Sequence, residues 1–159
     1  MEASEIIDLT YQIKLGNRKA IAQAITLMES IKADDRAISE ALLEQLGTVN
    51  ESSIRIGISG TPGVGKSTFI EAFGQLILKE GNQLAILAVD PTSSISGGSI
   101  LADKTRMASL SRDKNVFIRP SPSGNNLGGV NRSTRESIAI VEARSEEHTS
   151  ELQSLAYLV

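Results

Sequence analysis

The stretch Gly60-Thr-Pro-Gly-Val-Gly-Lys-Ser67 constrains this chain more than any other. It fits the pattern G-x-x-x-x-G-K-[ST], and its flanks supply the context that pattern needs. Ahead of it, Ile54, Ile56 and Ile58 alternate with Arg55 and Gly57, as in a strand. Behind it, Phe69, Ile70, Phe73, Leu76 and Ile77 recur at helical spacing, and Gly81 stands where a helix would stop. Residues 84–89 then form an unbroken apolar run, expected for a parallel strand covered on both faces, and Asp90-Pro91 ends it. Strand, loop, helix and strand at this spacing predict a βαβ unit in an α/β fold with a parallel sheet.

Each part of the loop has a physical task. Glycines let the backbone take left-handed angles and approach an anion closely. Successive N–H groups form an anion nest, and the following helix adds the positive end of its dipole. The expected phosphate-binding residues are therefore Gly60, Thr61, Pro62, Gly63, Val64, Gly65, Lys66, Ser67 and Thr68. Lys66 would place a point charge on the β- and γ-phosphates. The Ser67 hydroxyl suits Mg²⁺, which takes oxygen ligands and keeps several waters. Asp90 is expected at the carboxyl end of the second strand, the edge where open α/β sheets bind ligands. A carboxylate there suits Mg²⁺ or an attacking water; the competing role is a turn cap before Pro91. By spacing alone, Asp103, beside Lys104 and Arg106, reads as a solvated salt-bridge residue.

The rest of the chain sets bounds. Residues 3–47 carry helical patterning: Ile21, Ala24, Ile25 and Met28 form an apolar stripe, Gly16-Asn17 breaks one helix from the next, Asp34-Asp35 offers an N-cap, and Gly47 a stop. A helix is expected over 100–110, a short strand over 116–118, a loop over 121–129, and a helix to about Ala143 started by a Ser133/Glu136 capping box. Lys104, Arg106, Arg112, Lys114, Arg119, Arg132 and Arg135 make a basic middle, read as a solvated face. Aromatics are 3% with no Trp, and the net charge is −3, which argues against nucleic-acid binding. With no Cys, disulfides and thiolate metal sites are excluded. No apolar run approaches membrane-spanning length, and Met1-Glu-Ala-Ser-Glu5 lacks the character of a signal or transit peptide, so a cytoplasmic, bacterial or archaeal protein is expected.

These residues resemble one family, the MeaB/ArgK-type GTPases that escort methylmalonyl-CoA mutase. The resemblance rests on residues 60–68, on Leu87-Ala-Val-Asp-Pro-Thr-Ser-Ser94, and on Gly97-Gly-Ser-Ile-Leu-Ala-Asp-Lys-Thr-Arg-Met107. It continues through Phe117-Ile-Arg-Pro-Ser-Pro-Ser-Gly124, Leu127-Gly-Gly-Val130 and Thr134-Arg-Glu136, with Ala24-Ile-Thr-Leu-Met-Glu-Ser30 upstream. It implies a P-loop NTPase fold of the SIMIBI type behind an N-terminal helical extension, and a homodimer when full-length. It also implies GTP/GDP and Mg²⁺ as ligands, hydrolysis coupled to loading or protecting a cobalamin-dependent mutase, and no membrane or nucleic-acid partner. It places carboxylates matching Asp90 and Asp103 near the Mg²⁺ and the switch machinery, so Lys66, Asp90 and Asp103 become the expected catalytic residues and Ser67, Asp90 and Asp103 the metal set. An ATP-using kinase or transport-associated ATPase of the same superfamily, or a non-catalytic mutase-binding module, are the alternatives.

The family's Glu-Thr-Val-Gly switch element and guanine-selecting Asn-Lys-x-Asp motif do not occur in this sequence. Arg144-Ser-Glu-Glu-His-Thr-Ser-Glu-Leu-Gln-Ser154 looks like the in-frame translation of a sequencing-library adapter. The expected organisation is thus a helical extension over 1–50, a partial P-loop domain over 51–143, and a non-native tail over 144–159, in a truncated chain with little turnover.

Overall fold

A computed structural model describes residues 1–47, 53–61, 63–90, 107–122, 132–143 and 154–158. These divide into two compact units, a helical one and a sheet-bearing one.

The helical unit comprises α1 (Ala3–Lys14), α2 (Arg18–Glu29), α3 (Ala33–Leu46) and α5 (Arg132–Glu142). The break between α1 and α2 has a local cause. The amides of Gly16 and Asn17 return to the carbonyls of Ile13 and Gln12, closing α1. The Asn17 side chain then accepts from the amides of Lys19 (3.0 Å) and Ala20 (3.4 Å), opening α2 at once. The apolar stripe falls as expected: Ile21, Ala24, Ile25 and Met28 are all buried, with Ile13 and Leu42 beside them in the core. The Asp34-Asp35 cap does not form. Lys32 is the N-cap residue of α3, and both aspartates sit in the first turn, where they complement the helix dipole. Asp35 instead accepts from the Ser30 hydroxyl.

Helix α5 packs against α2 and α3, so this unit draws on residues from both sides of the sheet-bearing stretch, whereas the sequence reading divides the chain at 50 and 143. The helix begins at Arg132, one residue ahead of the expected cap Ser133, and Glu136 pairs with the Arg132 guanidinium one turn back. Glu40 of α3 reaches the same guanidinium at 3.2 Å. The hydrogen bonds that the guanidinium donates to Glu136 and Glu40 hold the Arg132 pKa above its ordinary value.

The second unit carries β1 (Ile54–Gly57), α4 (Lys66–Lys79), β2 (Gln83–Asp90), a single 3-10 turn (Leu110–Arg112), β3 (Val116–Pro122) and β4 (Ser154–Leu158). All pairings are parallel, in the order β1-β4-β2-β3. Strand β2 is buried along both side-chain parities, Leu84 and Ile86 as well as Ala85 and Leu87, which is why its sequence shows no alternation. Its register with β3 runs from Leu84 opposite Val116 to Asp90 opposite Pro122, making β3 longer than the expected 116–118. The core joins Ile70 and Ile77 of α4 to Leu84, Ile86, Met107, Leu110 and Val116. The α4 stripe is narrower than its pattern suggests: Phe73 is half-buried, while Phe69 and Leu76 are 54% and 57% exposed. Helix α4 ends as Gly81 predicts, with the Gly81 and Asn82 amides bonded back to Leu78 and Ile77.

Most of the helix expected over 100–110 lies outside the described residues. Its described end is a turn over 107–109 leading into the 3-10 segment that starts at Leu110. The loop beyond residue 122 and the tail over 144–153 also lie outside them. Residues 154–158, to which the sequence reading assigned no element, form β4 between β1 and β2.

Candidate functional site

Strand β1 delivers the chain into the loop at Gly60, and the loop ends where α4 begins. Two of its glycines are needed for their backbone. Gly63 has φ +81° and Gly65 φ +99°, left-handed angles that L side chains resist, and nothing lies within 4 Å of a Cβ added at either. Gly65 is also the N-cap residue of α4, and no side chain caps that helix. The Phe69 amide is the first to find an acceptor within the turn, bonding the Gly65 carbonyl at 2.9 Å. The amides of Lys66, Ser67 and Thr68 therefore open the helix as intrahelical orphans, at the positive end of its dipole. An anion is the natural partner for such a terminus.

Lys66 is held above this nest. Its ammonium donates to the carbonyls of Gly60 (2.8 Å) and Thr61 (3.1 Å). An ammonium has three donors, so two anchors leave one hydrogen for a ligand. The charge is thus positioned in advance, which lowers the ordering cost when phosphate arrives. Gly60 also makes room for it: an added Cβ would stand 3.2 Å from the Val64 side chain and 3.8 Å from the Lys66 stem. Ser67, half-buried, and Thr68, exposed, follow Lys66 in the first turn of α4. Pro62 lies outside the described residues.

The sheet register relates Asp90 to this loop. Gly57 of β1 and Leu87 of β2 both lie opposite Leu158, so they are level along the strands. Three residues beyond Gly57 the loop begins at Gly60; three beyond Leu87 stands Asp90, the last residue of β2. Both therefore leave the same carboxyl edge of the sheet. The two strands lie one strand apart from being neighbours, roughly 10 Å at normal strand spacing. Asp103 lies outside the described residues, and among these no group of three or more His, Asp or Glu could hold a metal ion. The donors present nonetheless suit Mg²⁺, which in phosphate sites takes one or two protein oxygens, with phosphates and water supplying the remainder.

The sequence did not disclose what braces the loop's helix. Glu71 of α4 accepts from the Ser109 amide at 3.2 Å, and Gln75 donates to the Ser109 hydroxyl at 3.0 Å. Between them Gly74 admits Leu84 and Leu110 so closely that an added Cβ would meet each at 2.8 Å. A helical Gly flanked by Glu and Gln one turn apart is the only sequence trace of this contact. Among the described residues no helix is long and apolar enough to cross a membrane.

Comparison with known proteins bears on the same loop. Residues 21–146 match the family model for "Methylmalonyl Co-A mutase-associated GTPase MeaB". The chain is similar to a putative GTPase of Caulobacter vibrioides, 51% identical over 141 residues, covering 89% of this chain and 43% of that protein. It is 47% identical to GTPase ArgK of Escherichia coli over 132 residues, covering 83% of this chain and 40% of the relative. It is likewise 47% identical to the mouse protein named methylmalonic aciduria type A homolog, mitochondrial, covering 80% and 33%. The chain thus spans less than half the length of each of these relatives. A crystal structure described as LAO/AO transport system kinase superposes with a TM-score of 0.74 at 31% identity, covering all of this chain and 44% of that one.

Proposed function

Because this chain belongs to the MeaB family of methylmalonyl-CoA mutase-associated GTPases, we propose that it binds GTP and GDP through residues 60–68, as the nucleotide-binding part of a protein that hydrolyses GTP and acts as a chaperone of the mutase. The observation that carries this reading is Lys66, anchored by two loop carbonyls above the uncapped start of α4. In it, the first-turn amides and Gly65 bind the β-phosphate, and the free Lys66 donor binds the β- and γ-oxygens. Ser67 and Asp90, with Asp103, would hold Mg²⁺ directly or through water. When bound, that ion supplies neutralisation of the charge that develops on the phosphates.

Phosphoryl transfer in such folds gains its rate from positioning and electrostatics across the whole phosphate constellation. This chain contributes the loop, Lys66 and Ser67 to it, so the reading assigns it nucleotide binding with little turnover. The longer protein is read as a cytoplasmic homodimer that engages the mutase. The solved relative's description as a transport system kinase favours a second reading, an ATP-using enzyme; competition of GTP and ATP for the loop separates the two.

The decisive experiment is Lys66→Ala with a fluorescent GDP or GTP analogue. A hydrogen bond to a charged group contributes about 1.5–3 kcal/mol, so affinity should fall on the order of 10- to 150-fold. Unchanged affinity in a folded variant sinks the assignment.

A further inference from the structure

Strand β1 carries the phosphate loop, yet within the described sheet its one neighbour is β4. It is not paired to β2, although α4 connects the two in sequence. Residues Ile54 and Gly57 lie opposite Leu155 and Leu158, and the same four-residue stretch of β4 lies opposite residues 84–87 of β2. The loop's parent strand is therefore joined to the rest of the sheet through β4 alone. At four residues it is short; Ile54 is 48% exposed, while Ile56, half-buried, packs with the following Ile58 against the core. From this geometry we infer that β4 is the positioning element of the phosphate loop: pairing of residues 154–158 between β1 and β2 holds β1, and through it the start of the loop, in register with the carboxyl edge of β2.

The physical reason is that a parallel strand has no hairpin to hold it. It stays in a sheet only by its ladder and by the packing of its side chains. Ladder pairing is a backbone property, so the slot between β1 and β2 takes an extended segment by its N–H and C=O groups whatever the segment's origin. That is why residues expected from sequence to be a foreign tail can fill it. The inference rests on the nucleotide-binding reading only for its effect on ligand affinity; its effect on β1 is independent of it.

The test uses the full chain with Ala156→Pro, which removes one ladder donor and places a residue that central strands exclude, and Ala156→Ser as the variant that keeps the donor. Hydrogen exchange is followed by mass spectrometry over residues 53–61, with α1 and α2 as the internal reference for folding. The proline variant should exchange over 54–57 at least about tenfold faster, with α1 and α2 unchanged and the serine variant close to the parent. Affinity for a fluorescent GDP analogue should fall with it, again on the order of tenfold. Equal protection of β1 in parent and proline variant overturns the inference, as does equal loss in the serine variant. A parent chain that binds no GDP, with the exchange pattern as expected, counts against the nucleotide reading and leaves this one standing.

Discussion

Gly74→Ala is the perturbation whose outcome the structure constrains most tightly. Gly74 sits in α4 where two leucines close over it: an added methyl would stand 2.8 Å from Leu84 Cδ2, and 2.8 and 3.0 Å from the two Cδ atoms of Leu110. Carbon atoms rest at about 3.5–4.0 Å, so each leucine must retreat by roughly 0.7 Å or α4 must move. Neither leucine has free space to enter, since Leu84 is 2% exposed and Leu110 fully buried. Overpacking of this kind costs about 1–3 kcal/mol. Against it stands the helix preference of alanine over glycine, about 1 kcal/mol. The net expectation is a loss of up to about 2 kcal/mol. In urea that is a midpoint shift of up to roughly 1 M. Unfolding would be followed by circular dichroism, with hydrogen exchange over residues 66–79 to assign the loss to α4. Leu110→Ala is the companion change. If the clash is real, it should cost less in the Gly74→Ala background than in the parent, a non-additive pair. A Gly74→Ala chain about 1 kcal/mol more stable than the parent would refute the reasoning, because helix preference would then have acted unopposed.

Two further outcomes follow from local geometry. Gly65→Ala forces a left-handed angle on a side-chain-bearing residue and should lose about 1–2 kcal/mol together with nucleotide affinity; a thermal melt and a GDP titration of the same sample read both. Asn17→Ala removes the cap of α2 and should cost about 1 kcal/mol in the helical unit with nucleotide affinity unchanged, seen as faster exchange over 18–29.

The sequence by itself determined whatever depends on near neighbours. Residues 60–67 require left-handed glycines, a basic side chain and a helix start within a few residues, and those demands are written in consecutive positions. The α2 stripe and the buried run of β2 were legible for the same reason, because a period of 3.6 records one-sided burial of a helix and an unbroken apolar run records two-sided burial of a strand. The closing of α1 and α4 by Gly16 and Gly81 belongs here too. What only the tertiary structure decided depends on partners far along the chain. Nothing near Phe69 or Leu76 says that Ile70 and Ile77 take the core side of α4 while those two stay exposed; Leu84, Leu110 and Val116 choose the face. The cap was misassigned at α3, where Ser30 took the Asp35 carboxylate, and α5 starts at Arg132, one residue ahead of the expected Ser133. Strand order was the least legible of all. Parallel pairing carries no turn signature that ties one strand to the next. The seat of β4 between β1 and β2, and with it the support of the phosphate loop, was therefore set by long-range backbone pairing rather than by any local pattern of residues.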